Sequence, residues 1–156
     1  MVALETEAGF HRKTAVDCFN ETWKYIRKKR RTSDDDHMML NLAHASRYHW
    51  GLVGGPTNLA VGDWQISRVY ASLGQSVLAL RFAKSSLQTC QKNQLKDILH
   101  TANEAMARAH AVAGDYAAAR RYLSKAKTQL RRLKLDKEDR RIYIGQILET
   151  EKLLGK

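Results

Sequence analysis

The chain has 156 residues, a net charge of +11 and only one proline. That length suits one domain whose core needs no disulfide or metal staple. No apolar run approaches the ~20 residues of a membrane span, and Cys18 and Cys90 match no metal or redox spacing, so free thiols in a reducing compartment are expected.

The opening MVALETEAGFHRK places acids before any base and has no apolar centre. A secretory leader is therefore not expected, and a cytoplasmic location is. A first helix is expected from about Ala8 to Arg31, because Val16, Phe19, Trp23 and Ile26 recur at three- and four-residue spacing. It ends in the cationic run Lys28 to Arg31, which suits the negative end of a helix dipole. The run also has the composition of a nucleic-acid patch. No aromatic or glycine interleaves it, however, and acids follow directly, so a solvated helix end fits better. Thr32 and Ser33 before Asp34, Asp35 and Asp36 form a capped helix start. Three adjacent aspartates lack the spacing and the glycine of a calcium loop.

The second helix, about Asp34 to Val53, has apolar residues all round: Met38, Met39, Leu40, Leu42, Ala43, Ala45, Tyr48 and Trp50. Such a helix is expected to be buried between neighbours. His37 and His44 lie two turns apart, roughly 10 Å along the axis, too far for one metal ion, so hydrogen bonding within the core is the expected role for the histidines. Gly54-Gly55-Pro56-Thr57 breaks the chain, and Thr57 or Asn58 is expected to cap a third helix that folds back on the second. Arg47, His49, Trp50, Asn58, Trp64 and Arg68 then come from the two arms of one hairpin. Two roles fit them. Rigid aromatics beside cations can grip a partner peptide, and the same side chains can stack to seal two helix pairs.

A fourth helix is expected from Gln75 to about Cys90 and a short polar link over residues 91–94. A fifth runs from Leu95 to Gly114, and a sixth from Asp115 past Leu130. The sixth is rich in Arg120, Arg121, Lys125, Lys127, Arg131, Arg132 and Lys134, which flank its apolar stripe on two sides. A last helix begins at Asp136. Its apolar residues Ile142, Ile144, Ile147, Leu148, Leu153 and Leu154 suit a capping element with a polar outer face; left exposed, they would form a homodimer surface. Charge is uneven along the chain, with five Lys/Arg against one Asp/Glu over residues 37–92 and fourteen against eight from residue 93. That field favours acidic partners.

Two stretches are copies of one another. With Gly74 laid on Gly114, Tyr70 falls on His110, Ala79 on Ala119, Ala83 on Leu123 and Ser86 on Ala126. Each copy is a helix, a glycine turn and a second helix, with small residues where backbones must approach. In its second copy Met106, Ala107, His110, Gly114, Tyr116, Ala119, Leu123 and Ala126 sit at the small and apolar signature spacing of tetratricopeptide repeats, and the chain resembles that family. It departs in three ways: the copies are 40 residues apart, not about 34, Trp64 stands one residue late, and no proline closes either copy. The resemblance implies an all-α domain over residues 1–156. It would hold about seven antiparallel helices in a short right-handed superhelix, with repeats near 60–91 and 100–131 and a capping helix at 136–154. It also implies a scaffold that holds a peptide or acidic segment of a partner protein, with Arg47, His49, Trp50, Asn58, Trp64 and Arg68 as contacts. Two other readings stand beside it. One is a basic nucleic-acid-associated protein using Lys28 to Arg31 and the sixth helix, and the other is a small-ligand or metal sensor around His44 and His49. There is no phosphate loop, nucleophile elbow or carboxylate pair, so no catalytic residue, resident metal, cofactor or membrane partner is expected.

Overall fold

The computed structural model describes residues 5–155. Residues 1–4, on which the leader reading partly rests, and residue 156 lie outside the described residues. Seven helices follow in order: α1 (Glu7–Ile26), α2 (Ser33–Val53), α3 (Pro56–Ser72), α4 (Ser76–Lys92), α5 (Leu99–Val112), α6 (Tyr116–Arg131) and α7 (Lys137–Lys152). The fold is all-α, with no strand among the described residues.

Local chemistry sets most of the helix ends. At α2 the Thr32 hydroxyl accepts from the Asp35 amide at 3.1 Å, and the Asp35 carboxylate accepts from the Thr32 amide at 2.9 Å, a reciprocal cap. Asp115 and Asp136 cap α6 and α7 by accepting from the amides of Ala118 and Asp139. Gly74 and Gly114 both take the left-handed conformation, φ +72° and +81°. In each copy the amide after the glycine closes back on the carbonyl five residues earlier (Gln75 on Tyr70, Asp115 on His110). The two turns are the same turn twice.

Three expected boundaries are corrected. α1 stops at Ile26, and residues 27–32 form the turn. There Lys28 pairs with Asp35 at 2.7 Å and Arg31 with Asp36 at 2.6 Å, so the cationic run bends toward the acids instead of extending the helix. The α3 start is Gly55 with Pro56 in the first turn, where a missing amide proton costs nothing. Asn58 is the third helical residue and accepts back from the Gly55 amide at 3.0 Å. α5 begins at Leu99, not Leu95, because Gln94 takes φ +54° and turns the chain.

The helices pack by a simple rule. Each packs on its neighbour in sequence, and in addition α1 packs on α3, α3 on α5 and α5 on α7. The odd helices therefore form one layer. Close approach is made possible by Ala60, Ala79, Ala83, Ala102, Ala105, Ala109, Ala119 and Ala126, all buried. Ser67 donates to the Ala79 carbonyl and Ser86 to the Ala60 carbonyl, both at 2.8 Å, tying α3 to α4. The interior helices carry the core: ten residues of α3 and ten of α5 are buried. α2 buries only Met39, Ala43 and Ser46, while Met38, Tyr48 and Leu52 are exposed. The expectation that α2 lies between neighbours is thus overturned. It packs on α1 and α3 alone, so only one side of its apolar surface is covered.

α5 also buries His100, whose ring meets the Tyr143 ring of α7 edge-on with centroids 4.5 Å apart. Burial pushes this imidazole down to about 4, so the folded chain refuses a proton that the unfolded chain takes near pH 6.5. Stability should therefore fall as pH drops from 6.5 toward 4, with His100 contributing about 2 kcal/mol between pH 8 and 5. Thermal unfolding at those two pH values should show a smaller loss for His100→Phe than for the wild type; an unchanged loss would place the titration elsewhere.

Candidate functional site

The odd helices repeat more than their packing. Trp23 on α1 with Arg27 just past its end, Trp64 and Arg68 on α3, and Glu104 and Arg108 on α5 are pairs with the same four-residue separation. Each pair follows the previous one by 41 or 40 residues (23 to 64, 64 to 104). A further 41 residues from Glu104 reach Gly145 on α7, with Glu149 at the position of the arginines. All of these positions but Glu104 line a common groove of about 860 Å³ to which all four odd helices contribute. The four-residue step puts both members of a pair on one side of a helix, one turn apart.

Behind the groove lining is a buried carboxylate. Glu104, 2% exposed, accepts from the Trp64 indole N–H at 3.0 Å, the Thr150 hydroxyl at 2.6 Å and Arg108 Nε at 3.0 Å. Burial alone would raise its carboxyl, but Arg108, Arg68 and the two neutral donors outweigh that and hold it below its ordinary value. Arg68, 6% exposed, lies over the rings of Trp23 and Trp64, 5.2 and 5.9 Å from their centroids. It donates through one terminal nitrogen to Glu149, which also stands 3.5 Å from Arg108. Burial, then Arg108, push the Arg68 guanidinium below its ordinary value against the pull of Glu104 and Glu149. Its Nε and Nη1 make no hydrogen bond. Trp23 and Trp64 touch with centroids 5.6 Å apart, so the groove has an aromatic wall beside a cation with spare donors.

The six residues expected to act together are divided. Trp64 and Arg68 face the groove. Arg47 points to the other side of α3, where its Nε reaches Asp63 at 2.8 Å and Asp63 also accepts from Ser85 at 2.7 Å. This tie joins α2, α3 and α4, and it needs Gly62, since a Cβ there would stand 2.7 Å from Arg47 Cδ. His49 shares a 2.7 Å contact with His11 of α1. Trp50 and Asn58 line a smaller cavity of about 180 Å³, where Arg12 lies over the Trp50 ring. His44 meets the Tyr70 hydroxyl at 3.1 Å, and no three His, Cys, Asp or Glu side chains among the described residues gather closely enough to hold a metal ion.

The sequence reading did not pick out Trp23, Glu104, Arg108 and Glu149. A signal was present in the two-copy alignment: the offset that lays Gly74 on Gly114 lays Arg68 on Arg108 and Trp64 on Glu104. No family model matches the chain, and no curated protein or solved structure matches it significantly. No helix among the described residues is long and apolar enough to cross a membrane.

Removing the buried carboxylate should strand two arginines in a dry site. Glu104→Gln is expected to cost about 3 kcal/mol or more, the range for breaking one side of a buried ion pair, whereas Glu149→Gln should cost less than about 1 kcal/mol because its carboxylate is half in water. Urea unfolding of both variants checks the order; equal costs would contradict it.

Proposed function

We propose that the chain is a tetratricopeptide-like repeat module that holds an acidic segment of a partner protein in the groove of α1, α3, α5 and α7. The observation that carries this reading is Arg68, buried in the groove floor with two donors unspent. A buried donor without a partner is costly, and a groove-bound carboxylate is the group that best supplies one. The repeat reading is supported by the twin glycine turns, the matched alanines and the layer of odd helices. In a superhelix of this type the first helices of each pair line the concave side. Partner recognition would then combine aromatic contact at Trp23 and Trp64 with charge pairing at Arg68 and Arg108. Arg27 and Arg141, which also line the groove, have no ion-pair partner among the described residues, so they add a positive field at its edge.

The role assigned here is binding without chemistry. Among the described residues Glu149 is the one carboxylate that lines the groove and Glu104 lies behind it; both are engaged by arginine, which is a setting for ion pairing and not for a general base.

Gly145 gives a test that spares the fold. A Cβ added there meets nothing within 4 Å, and the site is mid-helix, so Gly145→Ala should stabilise the protein by about 0.5–1 kcal/mol. Gly145→Phe should keep helicity while filling the groove. An array of capped decapeptides combining Asp or Glu with apolar residues should show binding to the wild type that weakens with salt and disappears in Gly145→Phe. Undiminished binding by folded Gly145→Phe would place recognition outside the groove.

A further inference from the structure

Glu149 is the exception in the ladder of groove positions. Its counterparts are Arg27, capping the end of α1, Arg68 on α3 and Arg108 on α5, and the terminal helix presents a carboxylate to them instead. That carboxylate differs from Glu104 in every respect that governs exchange. Glu104 is enclosed and bound by four side chains, whereas the Glu149 side chain is 54% exposed and touches only Arg68 and Arg108. It can leave for water with little change in burial.

Resting on the groove reading above, we infer that Glu149 is a built-in stand-in for the ligand, occupying the Arg68–Arg108 subsite until an acidic side chain of the partner segment displaces it. Glu149 engages one terminal nitrogen of Arg68, while Nε makes no hydrogen bond and Nη1 stands 3.9 Å from Glu104, beyond hydrogen-bond distance. Nε and Nη1 are shielded from solvent while Glu149 is in place. An incoming carboxylate therefore takes over the terminal nitrogen that Glu149 holds and can share it with a second, paired donor once Glu149 has left. The helix that carries Glu149 is lightly held. α7 packs on α5 and α6 only and buries just Ile147 and Thr150. The groove cations are spread along the odd layer, at Arg27 just past α1, Arg68 on α3, Arg108 on α5 and Arg141 on α7. That spacing suits acidic side chains distributed along a segment and not a single chain-terminal carboxylate.

The test is fluorescence anisotropy with a fluorescein-labelled, acetylated and amidated acidic decapeptide chosen on the wild type. Its counterpart with glutamine at every acidic position is measured alongside. Glu149→Gln should bind the acidic peptide roughly fivefold more tightly, the upper end for a pair with one exposed partner. Glu138→Gln, which removes the same charge from an exposed site in the first turn of α7, should not change affinity, and the glutamine peptide should not distinguish Glu149→Gln from wild type. Equal or weaker binding by Glu149→Gln would overturn the inference. So would an equal gain for the glutamine peptide, which would mean a loosened helix and not carboxylate exchange. If only uncapped peptides bind, the subsite reads a chain terminus and the inference falls while the groove reading stands. Folded wild type that takes up no peptide defeats both. Should Glu149→Gln lose helicity, Glu149→Asp, which withdraws the carboxylate from Arg68 by one methylene, is expected to show the same gain.

Discussion

The structure depends on keeping one carboxylate out of water. Glu104 sits at the middle of the array, and an ionised carboxylate there is costly unless charge and hydrogen bonds replace its hydration. Four side chains do so: Arg68 and Trp64 from α3, Arg108 from its own helix and Thr150 from α7. Three of the four odd helices are thereby fixed to one point. Glu149 balances the second arginine from the groove side, and the positive charge left over stands at the groove edge, on Arg27 and Arg141.

Repetition explains why the excess is ordered. One step of about forty residues returns the chain to the same layer, so a pair of positions one helical turn apart recurs on every odd helix. Three helices use it for an arginine beside an aromatic or acidic partner, and the last uses it for Gly145 and Glu149. The first three arginine positions lie at intervals of 41 and 40 residues, so cations recur from helix to helix along the layer. The even helices cover the outer side, and there Arg47 and Asp63 spend their charges on each other.

How much of this could be read from the residues follows from the range of the physics involved. The glycine turns at 74 and 114 and the caps at Thr32, Asp115 and Asp136 depend on neighbours within five residues, and they are legible in the sequence. The division of the hairpin residues is not. Arg47 and Arg68 belong to adjacent helices and look like partners, yet they lie on opposite sides of α3, because Gly62 and Asp63 face α2 while Trp64 and Arg68 face α5. α2 misleads for a related reason: its apolar residues are numerous, but counting them does not reveal that no helix covers Tyr48 and Leu52. Glu104 reads as a lone acid among alanines until the copies are aligned. Its partner Thr150 lies 46 residues away, where no local rule reaches.

The most direct measurement is the arginine Nε–Hε spectrum of the intact protein during titration with a capped acidic peptide. Arg68, whose Nε has no partner, should shift and sharpen as its donors are taken up, with Arg108 following as Glu149 is displaced. Arg47, already bonded to Asp63, and the α6 arginines should stay in place. Shifts confined to Arg120, Arg121, Arg131 and Arg132, with Arg68 unmoved, would contradict a groove-bound acidic segment and move recognition to the basic outer surface.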